Sequence, residues 1–263
     1  MPELPEVENF RSFVDRTSLH QKIEGVKLAK TDRLFDISAK DLIHILEGNE
    51  FESTWRHGKF LFIRLKQKGH LVLHFGMTGE LYYHTPNEKS PKVYVLLIHF
   101  ENGKNFIFSD SRGFGMMAWT QNIEGFIKKR GYGDDALQID QDRFLGLFRK
   151  RKVAIKTALM NQHLLAGVGN EFSDAILFQT KIHPLSVSGK LSIDHLKAIF
   201  LVMKKILKEA VSYNADRNKL NHYFLLNQRK AGLVCPRCKG KTEFQTIGGR
   251  SSYFCPSCQE RYP

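Results

Sequence analysis

The chain has 263 residues, enough for one large domain or two ordinary ones with a real core. Its 40 Lys and Arg against 27 Asp and Glu give a formal net charge of +13, which points to an anionic partner, nucleic acid first. No apolar run approaches the roughly 18 residues of a membrane span, and the first residues are acidic. Neither a membrane protein nor a secretory leader is therefore expected, and a cytosolic chain is.

The opening MPELPEVENF supports two readings. Pro5 near a first turn, with Glu6 and Glu8 favouring the dipole, predicts a helix over residues 3–16. Alternatively Pro2, once Met1 is removed, offers a free secondary amine with an acid beside it at Glu3. Next, LFIRLKQKGHLVLHFGMTGELYYH reads as strands broken at KQKGH and GMTG, and KVYVLLIHFENGKNFIFSD as a hairpin turning on Asn102-Gly103. This half predicts a β-sandwich or barrel. From about residue 135 the apolar spacing becomes helical in DRFLGLFRKRKVAIKTALMNQ, NEFSDAILFQT and IDHLKAIFLVMKKILKEAVSY, with the turn LLAGVGN between the first two. The fold class expected is α+β, in three parts: a β-sandwich domain over 1–130, a helical domain over 131–228 and a hairpin over 229–263.

All four cysteines lie in that last part, as Cys235-Pro-Arg-Cys238 and Cys255-Pro-Ser-Cys258, with 16 residues between the pairs. In a cytosolic protein two CxxC knuckles at this spacing predict one tetrahedral Zn²⁺ site. Four thiolates leave no open position, so the metal would be structural, holding a hairpin too small for a core of its own. Two disulfides are the competing reading, disfavoured by the compartment.

PELPEVE at 2–8, RHGKFLF at 56–62, HFGMTGEL at 74–81, SDSRGFG at 109–115, LLAGVGNEFSDAILF at 164–178 and GRSSYFCPSCQ at 249–259 occur in this order. Together they resemble the formamidopyrimidine-DNA glycosylase and endonuclease VIII family over essentially the whole chain, PELPEVE being closer to the formamidopyrimidine branch. The resemblance implies a helix-two-turn-helix (H2TH) domain and zinc-finger hairpin, and a bifunctional glycosylase and abasic-site lyase acting on oxidised bases in duplex DNA. Pro2 is then the nucleophile and Glu3 the proton donor, Lys59 a phosphate contact that assists elimination, and Arg250 the zinc-finger arginine at the lesion phosphates. Met77, Arg112 and Phe114 would fill the duplex where a damaged nucleotide is flipped out. Asn170 and its turn's amides, with Lys152 and Lys156, would hold phosphate. Without the motifs, Met77 and Phe114 would be core, and Lys59 and Lys152 ordinary solvated lysines. Glu6 resembles a carboxylate near the site, with a helix-cap role as its rival.

Three departures bear on specificity. Gly113 stands where the family has a second Arg, which would loosen the wedge loop, and Ala175 where the branch often has Glu. The stretch 214–233 looks short and lacks the SDGKPGYF pattern of the loop that cradles 8-oxoguanine. An endonuclease VIII-like preference for oxidised pyrimidines or hydantoins is the nearest alternative, and a non-catalytic damaged-DNA-binding protein the alternative from another class. The expected partner is damaged double-stranded DNA, with no membrane and a monomeric state.

Overall fold

The computed structural model describes residues 1–29, 36–88 and 90–263. Two compact units emerge: Met1–Pro2 with Glu6–Gly131, and Glu3–Pro5 with Tyr132–Pro263. The fold is α+β.

In the first unit, helix α1 (Leu4–Thr17) carries Glu6 in its first turn and Arg16 in its last, each favourable to the helix dipole. After strand β1 (Ile23–Leu28) comes helix α2 (Ala39–Leu46), then strands β2 (Phe51–His57), β3 (Phe60–Leu65), β4 (His70–His74), β5 (Gly79–His84), β6 (Leu96–Phe100), β7 (Asn105–Asp110) and β8 (Met116–Thr120), and helix α3 (Ile123–Lys129). The strands form two antiparallel four-stranded sheets, ordered β2-β3-β4-β8 and β1-β6-β7-β5. Their shared core holds Phe51, whose ring meets the edges of Phe100 and Phe106 at 5.8 and 5.7 Å. Strand β3 is buried on both faces. Leu61, Ile63 and Leu65 join the sandwich core, while Phe60 and Phe62 meet Phe126 of α3 edge-on. That double burial explains why residues 60–63 are a continuous apolar run and not an alternating one, Arg64 beyond them being exposed. The β6–β7 hairpin falls where the Asn-Gly turn places it.

The second unit contains helices α4 (Gln141–Phe148), α5 (Ile155–Met160), α6 (Asn170–Gln179), α7 (Ile193–Ser212) and α8 (Phe224–Asn227). A short parallel pair, β9 (Asp134–Asp135) with β10 (Leu165–Ala166), and an antiparallel hairpin, β11 (Glu243–Ile247) with β12 (Arg250–Phe254), complete it. Phe144, Phe148, Leu159, Phe172, Ile176, Ile199 and Met203 build its core, and Leu4 belongs to that cluster. The helical stretch from 141 is interrupted at Phe148. Beyond it the main chain runs out to pair with residues 188 and 189, Ser188 N–H donating to the Val153 carbonyl at 2.9 Å and Gly189 N–H to that of Arg151 at 2.8 Å.

Leu4 fits because residue 167 is glycine. Gly167 has φ +116°, and a Cβ there would lie 2.5 Å from Leu4 Cδ1, while Leu4 N–H donates to the Gly167 carbonyl at 3.1 Å. Gly113 also has positive φ, +66°, with open space around it. Gly113→Ala should therefore cost only the left-handed backbone term, about 1–2 kcal/mol, and Gly167→Ala that term plus overpacking of about 1–3 kcal/mol. Thermal melting checks the order. An equal or smaller drop for Gly167→Ala would show that Leu4 is not held as described.

Candidate functional site

The sequence places Glu3 beside Pro2, and the structure fixes that acid at a helix end. Glu3 is 1% exposed. Its Oε2 accepts the Gly169 N–H at 2.5 Å and its Oε1 the Glu171 N–H at 2.8 Å, so the carboxylate takes two donors that α6 leaves unpaired at its start. Amides expected on phosphate are thus occupied by Glu3. The turn before α6 is tied by a residue that no motif marks: Gln162 accepts from Gly167 N–H at 2.9 Å and donates to the carbonyls of Met160 and Val168 at 2.8 and 2.7 Å. Asn170 Oδ1 is buried with no hydrogen-bond partner among the described residues. Pro2 is half-buried and Met1 exposed.

The basic residues of this unit divide by burial. Lys152 and Arg250 are exposed, Arg250 following the Gly248-Gly249 turn as the first residue of β12. Lys156 lies wholly inside. Its ammonium donates to Asp174 at 2.5 Å and to the Ser251 carbonyl at 3.1 Å, so it is not displayed at the surface as a phosphate contact would be. Burial pushes Lys156 down to about 8, against the pull of Asp174. Ala175 is packed in the core, and the carboxylate of this turn of α6 comes from Asp174, one position earlier.

In the first unit, Lys59 is 9% exposed, in the turn between β2 and β3. Arg56 holds that turn. Its Nη1 donates to the Gly58 carbonyl at 3.0 Å, and its Nε pairs with Glu8 at 2.7 Å. His74, at the end of β4, is lowered to about 4 by burial and by the charges of Lys59 and Arg130, so it is neutral at pH 7 and accepts the Gly76 N–H at 3.3 Å.

Met77, Arg112 and Phe114 are all exposed, Met77 by 39% and Phe114 by 57%, unusual for large apolar side chains in adjacent loops. The Arg112 guanidinium lies over the Phe114 ring at 5.2 Å. Asp110 ties the two loops together: Oδ1 accepts from Thr78 Oγ1 at 2.6 Å and Arg112 N–H at 3.3 Å, and Oδ2 from Gly115 N–H at 2.6 Å. Gly113 adopts a left-handed conformation that glycine takes without strain, so the substitution does not unpin the loop.

The four cysteine Sγ atoms lie within 4.8 Å of one another, Cys235 to Cys258 at 3.6 Å and Cys238 to Cys255 at 3.5 Å. These separations are far beyond a disulfide and close to the about 3.8 Å that tetrahedral Zn–S bonds impose. Lys239 N–H donates to Cys235 O at 3.0 Å and Gln259 N–H to Cys255 O at 3.0 Å, closing each CxxC into a knuckle. The residues fit one structural zinc.

Three family models match in succession: the formamidopyrimidine-DNA glycosylase N-terminal domain over residues 1–117, the formamidopyrimidine-DNA glycosylase H2TH domain over 133–221, and the zinc finger found in FPG and IleRS over 232–261. The chain is 33% identical to the formamidopyrimidine-DNA glycosylase of Listeria innocua over 99% of this chain and 100% of that one. It is also similar, at 26% identity, to two solved structures of the Lactococcus lactis enzyme. One is non-covalently bound to DNA containing an abasic site (TM-score 0.91, 98% and 100% of the two chains), the other in complex with DNA containing FAPY-dG (TM-score 0.90, the same coverage). The chain belongs to the formamidopyrimidine-DNA glycosylase family.

Elemental analysis should find one zinc per chain. Cys255→Ser should abolish binding to an abasic-site duplex while the N-terminal unit stays folded by near-UV circular dichroism. A metal-free preparation with full binding would remove the structural role.

Proposed function

We propose that this protein is a bifunctional DNA glycosylase and abasic-site lyase that removes oxidised bases from duplex DNA, working as a monomer in the cytoplasm. The observation that carries the reading is the Glu3 carboxylate, buried and held by two main-chain amides one residue from Pro2. Binding alone needs no such acid beside a terminal amine. No helix among the described residues is long and apolar enough to cross a membrane.

In this reading Met1 is removed and the neutral Pro2 amine attacks C1′ of the damaged nucleotide. An α-amine titrates near about 8, so a useful fraction is neutral at pH 7. The N–C1′ bond forms as the glycosidic bond breaks, and the base leaves with its electron pair and the proton shed by the amine nitrogen. Glu3, having first taken up a proton from solvent, gives it to O4′ as the sugar ring opens and returns to the carboxylate. The product is an iminium on a secondary amine, which has no N–H proton left to lose and draws electrons from C2′. Loss of a C2′ proton then expels the 3′ phosphate, and loss of the C4′ proton from the conjugated iminium expels the 5′ phosphate from C5′. Lys59 and Arg250 hold the phosphates flanking the lesion, and Asn170 and Lys152 the neighbouring backbone. Met77, Arg112 and Phe114 occupy the space the nucleotide vacates. Zinc supplies no chemistry and fixes the hairpin that bears Arg250.

An endonuclease VIII-like range remains a second reading because of the segment 214–233. Arg217 pairs with Glu171 at 3.0 Å, Tyr223 hydroxyl donates to Glu209 at 2.6 Å and Asn227 to the Leu220 carbonyl at 2.8 Å. A short, tethered segment offers fewer free amides to a flipped purine. One lost contact costs about 1–3 kcal/mol of discrimination.

Borohydride should trap the protein covalently on an abasic-site duplex, with peptide mapping placing the adduct at residue 2 and Pro2→Gly trapping weakly. An adduct on an internal lysine would overturn the mechanism. Single-turnover rates on matched duplexes should show formamidopyrimidines and oxidised pyrimidines or hydantoins processed at least as fast as 8-oxoguanine. A strong preference for 8-oxoguanine opposite cytosine would show that the short segment does not set the range.

A further inference from the structure

Inside the second unit one carboxylate binds two cations. Asp174 is fully buried, and its Oδ1 accepts from Lys156 at 2.5 Å. Its Oδ2 accepts from Arg229 Nη1 at 2.8 Å and from the Tyr253 N–H at 3.0 Å. The two cations then converge again. Lys156 Nζ and Arg229 Nη2 each donate to the Ser251 carbonyl, both at 3.1 Å, and Arg229 Nη1 also reaches the Asn170 carbonyl at 3.3 Å. The guanidinium lies over the Tyr253 ring at 5.1 Å.

Two buried charges and a half-buried third are a costly way to join a helix to a hairpin, since apolar contacts often stabilise as well or better. What a guanidinium does and an apolar side chain cannot is fix the distance between separate main-chain acceptors through a rigid fork of donors. The acceptors here are informative. Ser251 directly follows Arg250, and the other carbonyl belongs to Asn170. One side chain therefore holds the main chain at Asn170 and at Ser251, the residue next to Arg250, with Asp174 and Lys156 fixing where its fork points.

We propose that Asp174, Lys156 and Arg229 form a positioning unit that sets the spacing of Asn170 and Arg250, so that the two grip one DNA backbone together. Arg229 and Asp174 touch no DNA in this scheme. The inference rests on the reading of Asn170 and Arg250 as phosphate contacts.

The test is a double-mutant cycle on the full-length, zinc-loaded protein, with a duplex containing a tetrahydrofuran abasic-site analogue as the probe. Dissociation constants are measured across a salt series for the parent chain, Arg229→Lys, Arg250→Ala and the double variant, with zinc content and melting recorded for each. Arg250→Ala should weaken binding about tenfold or more and lower the log–log salt slope by about one. Arg229→Lys keeps the charge but not the fork, and should keep its zinc while lowering both affinity and slope. The double variant should fall well short of the product of the two losses. Losses that multiply, with an unchanged slope for Arg229→Lys, overturn the positioning role. Should Arg229→Lys melt below the assay temperature, Arg229→Gln takes its place, and unfolding of both would make the cluster purely structural and also overturn it. Full affinity in Arg250→Ala would sink the phosphate reading itself, and this inference with it, a failure told apart by that single variant.

Discussion

The Glu3 carboxylate at the N-terminus of α6 is the constraint on which the proposed chemistry depends. A reagent at a chain end is ordinarily the worst-placed group in a protein, because terminal residues keep most of their conformational freedom. Here residues 3–5 belong to the C-terminal unit: Glu3 takes two amides of the turn, Leu4 N–H pairs with Gly167, and the Leu4 side chain lies in the core. Residue 2 is then one peptide bond from an anchored point. Much of the ordering entropy that an intermolecular attack must overcome is met by the fold before substrate arrives. Gly167 and Gln162 support that anchor, the first by admitting Leu4, the second by fixing the turn.

Much of this architecture was legible in the sequence because its signals are local. The CxxC pairs, the Asn-Gly hairpin, the long apolar spacing of α7 and the switch from strand to helix near 135 are all contained within short windows, and each has its counterpart in the structure. Helix α2 has a local signal of its own: Ser38 Oγ accepts the Asp41 N–H at 3.1 Å, a Ser-x-x-Asp cap before Leu42 and Leu46. What stayed hidden is non-local. Lys156 sits in RKRKVAIK and reads by resemblance as one more phosphate contact, yet its partner lies 18 residues on and its second acceptor 95 residues on. No periodicity reports such a pairing. The same holds for the amides of the Gly-Val-Gly turn, whose occupant comes from residue 3.

The departures from the family pattern are better judged by their surroundings than by residue type. Gly113 looked like a loosening of the wedge loop. Asp110, with three hydrogen-bonded partners in two loops, shows that rigidity there comes from a buried carboxylate. Gly76 contributes too, since a Cβ at that position would run into the Phe114–Gly115 main chain. Glycine at 113 removes strain from a left-handed residue in a loop already pinned. Ala175 is packed in the core, and the carboxylate next to it, Asp174, pairs with Lys156.

The charge excess of +13 therefore has two components with different physics. Exposed cations such as Lys152, Arg112 and Arg250 act through solvent, so their attraction for a phosphate backbone falls as salt displaces it. Lys156 and Arg229 pair with the buried carboxylate of Asp174, and salt screens such largely buried pairs less than it screens exposed charges. Net charge points to an anionic partner but overstates how many basic residues stand at the surface to meet one. In this chain part of the basic excess is paired with Asp174 inside the second unit.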